Sequence, residues 1–501
     1  MRTRRGLLIA VATGAMASAL SASASAATFT VTSCTDAIPN RAWGLTTSRP
    51  DLLEGLFSCP PGTGRTGGLV AQERLVSPAT TPTGASVEWR VTAPAGATIT
   101  GLSLDRWLAA QVDPGWVSYI RTAEGLTIES CRAPAGPSVT CEIGAGTAVL
   151  AAPDYDPETF TGLHATGLVI GVACDTANPG GCSNGSPGAP GAQHLVGAAA
   201  RNIIVTLSEN TPPAISTVAG AAGPGVRWIG GQSSVQVNAT DIGSGVAGAR
   251  ILTPDGSALG TAATTCDQQA RPCPSPVTLS VLVDTRTLPD GPATLRGVVT
   301  DAAGLTTTSA PWTISIDNSP PVAPTEDSTA RPFTTTRPVP VRFPSTGAPV
   351  VSATWRVRPN GGGSVVATGR ASSQSGLSAL GVRVPRVGDW RVEYDLQDAA
   401  GNAAQGVVGS EIFVAPPPRV RGRVLLLPMP FRTARSRWNV GIRIGATLIR
   451  RQVVVPANAS RLRVPLRLVP LAGRTLTVRW RLATGGPSYS TRLRVPQAPL
   501  R

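Results

Sequence analysis

The sequence predicts an all-β protein built as tandem antiparallel β-sandwiches, and three observations predict it. Gly (55) and Pro (46) make up about a fifth of the 501 residues, a balance that suits many short strands joined by turns. Segment after segment alternates apolar and polar residues at period two, as a strand with one buried face does. Proline punctuation recurs along the chain: Asn210-Thr211-Pro212-Pro213 and Asn318-Ser319-Pro320-Pro321 are near copies 108 residues apart, and Pro416-Pro417-Pro418 follows after a similar interval. Proline pairs cannot donate to a ladder and stiffen the chain, so they suit linkers. A chain of this length is too long for one core. The expected division is a leader over 1–26, a larger β-sandwich over 27–210, repeats over 211–321 and 322–416, and a basic β-sandwich domain over 417–501.

The leader comes first. Arg2, Arg4 and Arg5 precede an apolar stretch from Leu7 to Leu20, and Ala24-Ser25-Ala26 offers an A-x-A cleavage site. This reads as a secretion signal, with the mature chain starting at Ala27. Thr3-Arg4-Arg5-Gly6-Leu7-Leu8 is similar in part to a twin-arginine export signal, beside the simpler general secretory reading. Nothing downstream supplies ~18 consecutive apolar residues, so no transmembrane segment is expected in the mature chain. The terminal residues Pro496 to Arg501 form no hydrophobic sorting tail.

Cysteine usage agrees with export. Cys34, Cys59, Cys131, Cys141, Cys174 and Cys182 fall in the first region and Cys266 and Cys273 in the next, an even number in each. Disulfide pairing within domains requires that. Proximity favours Cys34–Cys59, Cys131–Cys141, Cys174–Cys182 and Cys266–Cys273. Zinc fails on spacing, with no C-x₂-C pair and only His164 and His194 to help.

In the first domain, candidate strands cover 68–76, 86–92, 98–104, 116–122, 126–131, 138–143, 163–174 and 201–208, and 104–112 is expected as one short helix. Val87, Trp89 and Val91 share a face, as do Ile203, Val205 and Leu207. In strand count and length the region resembles a jelly roll or a concanavalin-type lectin domain. Trp107, Trp116 and Tyr119 cluster beside a Pro-Gly turn, where exposed rings could stack on sugars; the alternative is that they fill the core. Asp154, Asp156 and Glu158 alternate in a loop and could hold calcium, or form a solvated turn.

Enzyme signatures are scarce. There is no H-E-x-x-H, Walker loop or EF-hand loop. Gly181-Cys182-Ser183-Asn184-Gly185 satisfies G-x-S-x-G, but its flanks are loop-like, whereas a nucleophile elbow joins a strand to a helix. The E-x-D-x-E strand of lectin-fold glucanases is missing. No catalytic residues are assigned, and a non-enzymatic protein is expected.

The stretch Asn238-Ala239-Thr240-Asp241-Ile242-Gly243-Ser244-Gly245-Val246-Ala247 resembles the early-strand signature of bacterial Ig-like repeats. Leu288-Pro289-Asp290-Gly291 with Asp301-Ala302-Ala303-Gly304 is similar to their closing hairpin. The next repeat keeps Gly388-Asp389-Trp390 and Asp398-Ala399-Ala400-Gly401-Asn402 but lacks the D-x-G-S-G element. The resemblance covers about 200 residues and implies spacers or adhesive modules of one immunoglobulin-like sandwich each.

Charge singles out the last segment. Lysine is absent, so all 44 basic residues are arginine; residues 419–501 hold 18 of them and no acid, while 27–418 carry 23 arginines against 29 acids. Arg461, Arg463 and Arg467 alternate with Leu462, Val464, Leu466 and Leu468, and Arg479, Arg481, Arg492 and Arg494 alternate with apolar residues likewise. This reads as an antiparallel sheet with an apolar inner and a cationic outer face. Same-face neighbours about 6.6 Å apart repel by roughly 0.6 kcal/mol in water before screening, which a solvated face tolerates. The sharper reading is a docking surface for a polyanion, since an exported protein meets anionic wall polymers, glycans and head groups. No helix-based reading motif or stacking platform points to specific nucleic-acid binding.

Together these predict a secreted or cell-surface modular protein that binds a glycan or other envelope polymer, with Ig-like spacers and no cofactor beyond the possible calcium. A glycan-active hydrolase in the first domain and a ligand-free structural spacer are the alternatives.

Overall fold

A computed structural model of the chain describes residues 26–59, 67–76, 79–111, 115–133, 141–144, 155–187, 194–226, 228–326, 338–360, 362–384, 388–409, 411–414, 418–429, 435–457, 459, 461–466, 472–484 and 488–497. The leader apart from Ala26, and the candidate residues Asp154 and Arg467, lie outside them. The described residues form antiparallel sheets almost throughout, with Thr285–Thr287 as the one short helical turn among them. The protein is all-β.

The first sandwich packs a seven-stranded sheet on a five-stranded one. The larger sheet is centred on two 14-residue strands, Ala97–Ala110 and Val196–Glu209, which pair along most of their length. The smaller runs in the order Gly44–Thr47, Ser86–Thr92, Gly167–Cys174, Trp116–Thr122, Thr127–Arg132. Alternate residues such as Val87, Trp89, Val91, Ile203, Val205 and Leu207 meet in one core. The short helix expected over 104–112 does not form; residues 104–110 continue a strand. Both faces of this strand are covered there. Leu104, Leu108 and Ala110 face the core, and Trp107 and Ala109 lie in a second small cluster with Ala199. Covering both faces erases the apolar–polar alternation that marks a strand in sequence.

The next two sandwiches share a plan. One sets Ala214–Ala219, Gln232–Thr240 and Val277–Asp284 against a six-stranded sheet; the other sets Thr325–Glu326, Val339–Arg342 and Ala379–Val382 against five strands. Their cores are separate. The echoed Asp-Ala-Ala-Gly segments form the same turn twice. Asp301 accepts from Leu305 N and Asp398 accepts from Asn402 N, while Gly304 (φ 94°) and Gly401 (φ 92°) take the left-handed conformation the turn needs.

The last sandwich has three strands, Arg419–Arg421, Val424–Pro428 and Arg461–Pro465, facing four: Thr447–Val455, Ser436–Ile444, Thr475–Leu482 and Ser488–Arg494. Its core draws only on its own residues, with Trp480 stacked on Tyr489 at 5.7 Å between centroids. The alternating arginines divide between the two sheets.

Candidate functional site

The first domain does not offer the sugar-stacking platform expected of Trp107, Trp116 and Tyr119, because all three are buried. Trp116 fills the core and donates its indole N–H to Ser183 O at 2.7 Å. Trp107 donates to Glu142 Oε1 at 3.0 Å. Tyr119 donates its hydroxyl to buried Glu88 at 2.5 Å, and the Arg121 guanidinium covers its ring 4.5 Å from the centroid. Burial pushes its phenol well above the ordinary tyrosine range.

Of the carboxylates that could have held calcium, Asp156 and Glu158 are engaged otherwise. Arg106, itself 5% exposed, reaches Glu129 on the facing sheet at 2.7 Å, Asp156 at 3.0 Å and Glu158 at 3.2 Å. A guanidinium at the centre of these acids neutralises them and repels a second cation. Among the described residues no group of three or more His, Cys, Asp or Glu is arranged to hold a metal ion. The G-x-S-x-G segment is tied down by its surroundings. Cys182 bonds Cys174, Ser183 pairs with Thr80 in a two-stranded ladder, and the buried Asn184 side chain donates to Leu52 O and Arg74 O. His194 lies against Glu73, not Ser183. The eight cysteines form Cys34–Cys59, Cys131–Cys141, Cys174–Cys182 and Cys266–Cys273.

The surface that stands out is cationic. All fifteen described arginines of 419–501, including Arg461, Arg463, Arg479, Arg481, Arg492 and Arg494, are exposed. The ion pairs of the described residues all fall between Arg49 and Asp395, so none of these arginines is neutralised by a carboxylate among them. Alternation puts them outward: in Thr475–Leu482, Leu476, Val478 and Trp480 are buried while Arg479 and Arg481 are not. On the three-stranded sheet, Arg419 and Arg463 flank Leu426 across the register. On the four-stranded sheet, Arg450 and Arg479 flank Gly441, and Arg481 flanks Asn439 opposite Gln452. Arg443, Arg450 and Gly441 were missed in the sequence, because their strands lack the clean arginine–apolar alternation of their neighbours.

A second set of polar residues also escaped the sequence. Glu209 ends the last strand of the first sandwich and accepts from Ser244 N (2.9 Å) and the Ser244 hydroxyl of the next. Asp317 follows the strand Trp312–Ile316, accepts from Ala348 N of the following sandwich, and takes the Asn402 amide on its carbonyl at 2.8 Å. The signal was present: each near-copy proline mark is preceded by an acid and an asparagine, Glu209-Asn210 and Asp317-Asn318.

These features define a class, a chain of tandem all-β sandwiches ending in an acid-free cationic one. No family model matches the sequence, and no curated protein matches it. Among solved structures, a tetra-tandem repeat from the extending region of a large adhesion protein is 14% identical and covers 85% of this chain and 98% of its own, at a TM-score of 0.21. A Ca²⁺-stabilized adhesin with which an Antarctic bacterium binds ice is 14% identical, covering 83% and 94% at 0.22. The fibronectin(III)-like modules of Clostridium thermocellum CbhA are 12% identical, covering 40% and 95% at 0.20. Matches of this kind assign neither ligand nor activity to this chain.

Proposed function

We propose that this chain is an exported modular protein of the adhesion type, acting by binding, and that its C-terminal sandwich (417–501) docks on an anionic cell-envelope polymer. One observation carries the reading: 18 arginines and no acid in 419–501, with every described one exposed. So much unneutralised charge of one sign favours a polyanionic partner and raises its local concentration. Arginines occur on the outer faces of both sheets. A flat membrane meets one face at a time, whereas a polymer mesh meets both. Four disulfides support an oxidising compartment and hence export. In this reading the Ig-like sandwiches are spacers that carry the first domain, with its glycan or other ligand, outward from the anchored end.

The full chain bound to isolated envelopes tests it. Retention is expected to fall steeply as salt rises from about 0.05 to about 0.5 M, because exposed charge pairs are screened as the Debye length shrinks. A chain ending at Pro416 is expected to elute throughout. Salt-independent retention, or equal retention without 419–501, overturns the docking role.

A further inference from the structure

The four-stranded sheet of the last sandwich carries a groove of about 700 Å³ on its outer face. Its origin is one residue. Gly441 lies in the strand Ser436–Ile444, paired on one side with Arg450 and on the other with Arg479. The two arginines therefore stand two strand spacings apart, roughly 9.6 Å, with no side chain between them. A Cβ built on Gly441 meets only Leu448 Cδ1, at 3.9 Å. Glycine inside a strand weakens it and often marks a place where a ligand or another backbone comes close; here no other backbone does. One register step along, Gln452, Asn439, Arg481 and Ser488 form a second row of neutral polar groups around a guanidinium.

We propose that this groove is a subsite for an acidic polysaccharide, with Arg450 and Arg479 forking onto one oxyanion of the chain and the row of Asn439, Arg481 and Ser488 binding the hydroxyls beside it. The inference rests on the docking function proposed above and names its site and ligand class. Three features select the occupant. Paired arginines match the planar, two-oxygen geometry of a carboxylate or a phosphate diester. Asn439, Gln452 and Ser488 supply the donors and acceptors that sugar hydroxyls need. The recessed floor admits a chain but not the plane of a bilayer, and Trp438, Trp480 and Tyr489 are all buried, so the described residues of this sandwich offer no stacking platform of the kind a single-stranded nucleic acid uses.

The test uses the full chain, titrated at fixed salt with polygalacturonate, poly(glycerol phosphate) and vesicles of phosphatidylglycerol. Three variants are compared: Arg450→Gln/Arg479→Gln in the groove, Arg419→Gln/Arg463→Gln on the opposite sheet with the same charge loss, and Gly441→Leu, which fills the groove and removes no charge. Loss of charge-assisted hydrogen bonds is expected to weaken binding of polygalacturonate roughly tenfold or more in the groove double variant. Gly441→Leu is expected to do the same, and the opposite-sheet variant to cost less than about threefold. Melting curves check that each variant folds, and the arginine pair carries the test should Gly441→Leu not fold. Equal losses in the two double variants overturn the groove while leaving polyanion docking in place, as does binding to poly(glycerol phosphate) alone; binding to vesicles alone overturns both. Failure of the unaltered chain to bind any of the three overturns both.

Discussion

Arg106 shows how one residue can hold two sheets. It lies on the strand Ala97–Ala110, and its guanidinium links Glu129 of the opposite sheet to Asp156 and Glu158 beside it. Burial works against its charge, but the bonds to Glu129 and Asp156 more than restore it and raise its pKa. Arg106→Met leaves Glu129 half-buried without a partner, while Asp156 and Glu158, 47% and 40% exposed, keep their water. The cost therefore falls near the low end of the range for breaking buried pairs, about 3 kcal/mol, read as a lowered unfolding transition of the first domain. Asp301 works in the opposite sense. Burial, then the charges of Glu209 and Asp241, push its carboxyl up to about 6, and Asp241 Oδ1 and Asp301 Oδ2 are buried without a hydrogen bond. Burial likewise raises Glu209, with the two bonds from Ser244 and then Arg271 opposing. Between about pH 4 and 6 the folded state thus holds a proton that the unfolded chain has released, so stability falls as pH rises through that window. The sandwich over 211–321 is expected to melt higher at pH 5 than at pH 7. Asp301→Asn keeps the acceptor for Leu305 N and removes the charge; it is expected to add up to about 3 kcal/mol at pH 7 and to flatten the pH profile. A pH-independent midpoint in the unaltered chain overturns the assignment.

At the scale of elements, the sequence was legible wherever one face of a strand meets water. Ser86–Thr92 and Thr475–Leu482 could be read directly from their alternation. The segment 104–110 could not, because apolar residues cover both of its faces. In the last domain, alternation reports which residues face inward but not which of the two sheets a strand joins. The candidate rings failed for a related reason: a cluster of aromatics beside a turn has the same sequence whether it lines a surface or fills a core. Cysteine spacing was more informative, because short loops leave few partners. The loop closed by Cys266–Cys273, a separation of 7, carries Gln268, whose side-chain carbonyl accepts from Thr32 N of the first sandwich at 2.9 Å. Replacing both cysteines by serine is expected to cost about 2–3 kcal/mol through restored unfolded-state freedom. It should also release the loop from Thr32, so that limited proteolysis cuts within 266–273 before any other described loop. Unchanged cleavage order counts against a role for the disulfide at this contact.

At the scale of the whole molecule, the first three sandwiches are joined by contacts as well as by linkers, and the two near-copy proline marks locate them. In Asp317-Asn318-Ser319-Pro320-Pro321 the prolines limit the backbone while the residues before them tie it to both neighbours. Asn318 Oδ1 accepts from Gly231 N and the Thr285 hydroxyl of the preceding sandwich, each at 2.9 Å. Asp317 Oδ2 accepts from Ala348 N of the following one, and its carbonyl takes the Asn402 amide. Gly347 lies so close that a Cβ there would stand 2.6 Å from Asp317 Oδ2. Stiff joints suit a chain whose binding end is held apart from its first domain, because a floppy series of domains spends most of its time collapsed well short of its contour length. Asp317→Ala removes the carboxylate from this joint while leaving both cores intact, since it belongs to neither. Spin labels placed on the two repeats are therefore expected to show a broadened distance distribution in Asp317→Ala, with the melting of each repeat displaced by no more than the ~1 kcal/mol typical of a lost hydrogen bond. A distribution as narrow as that of the unaltered chain would mean that proline stiffness alone sets the joint.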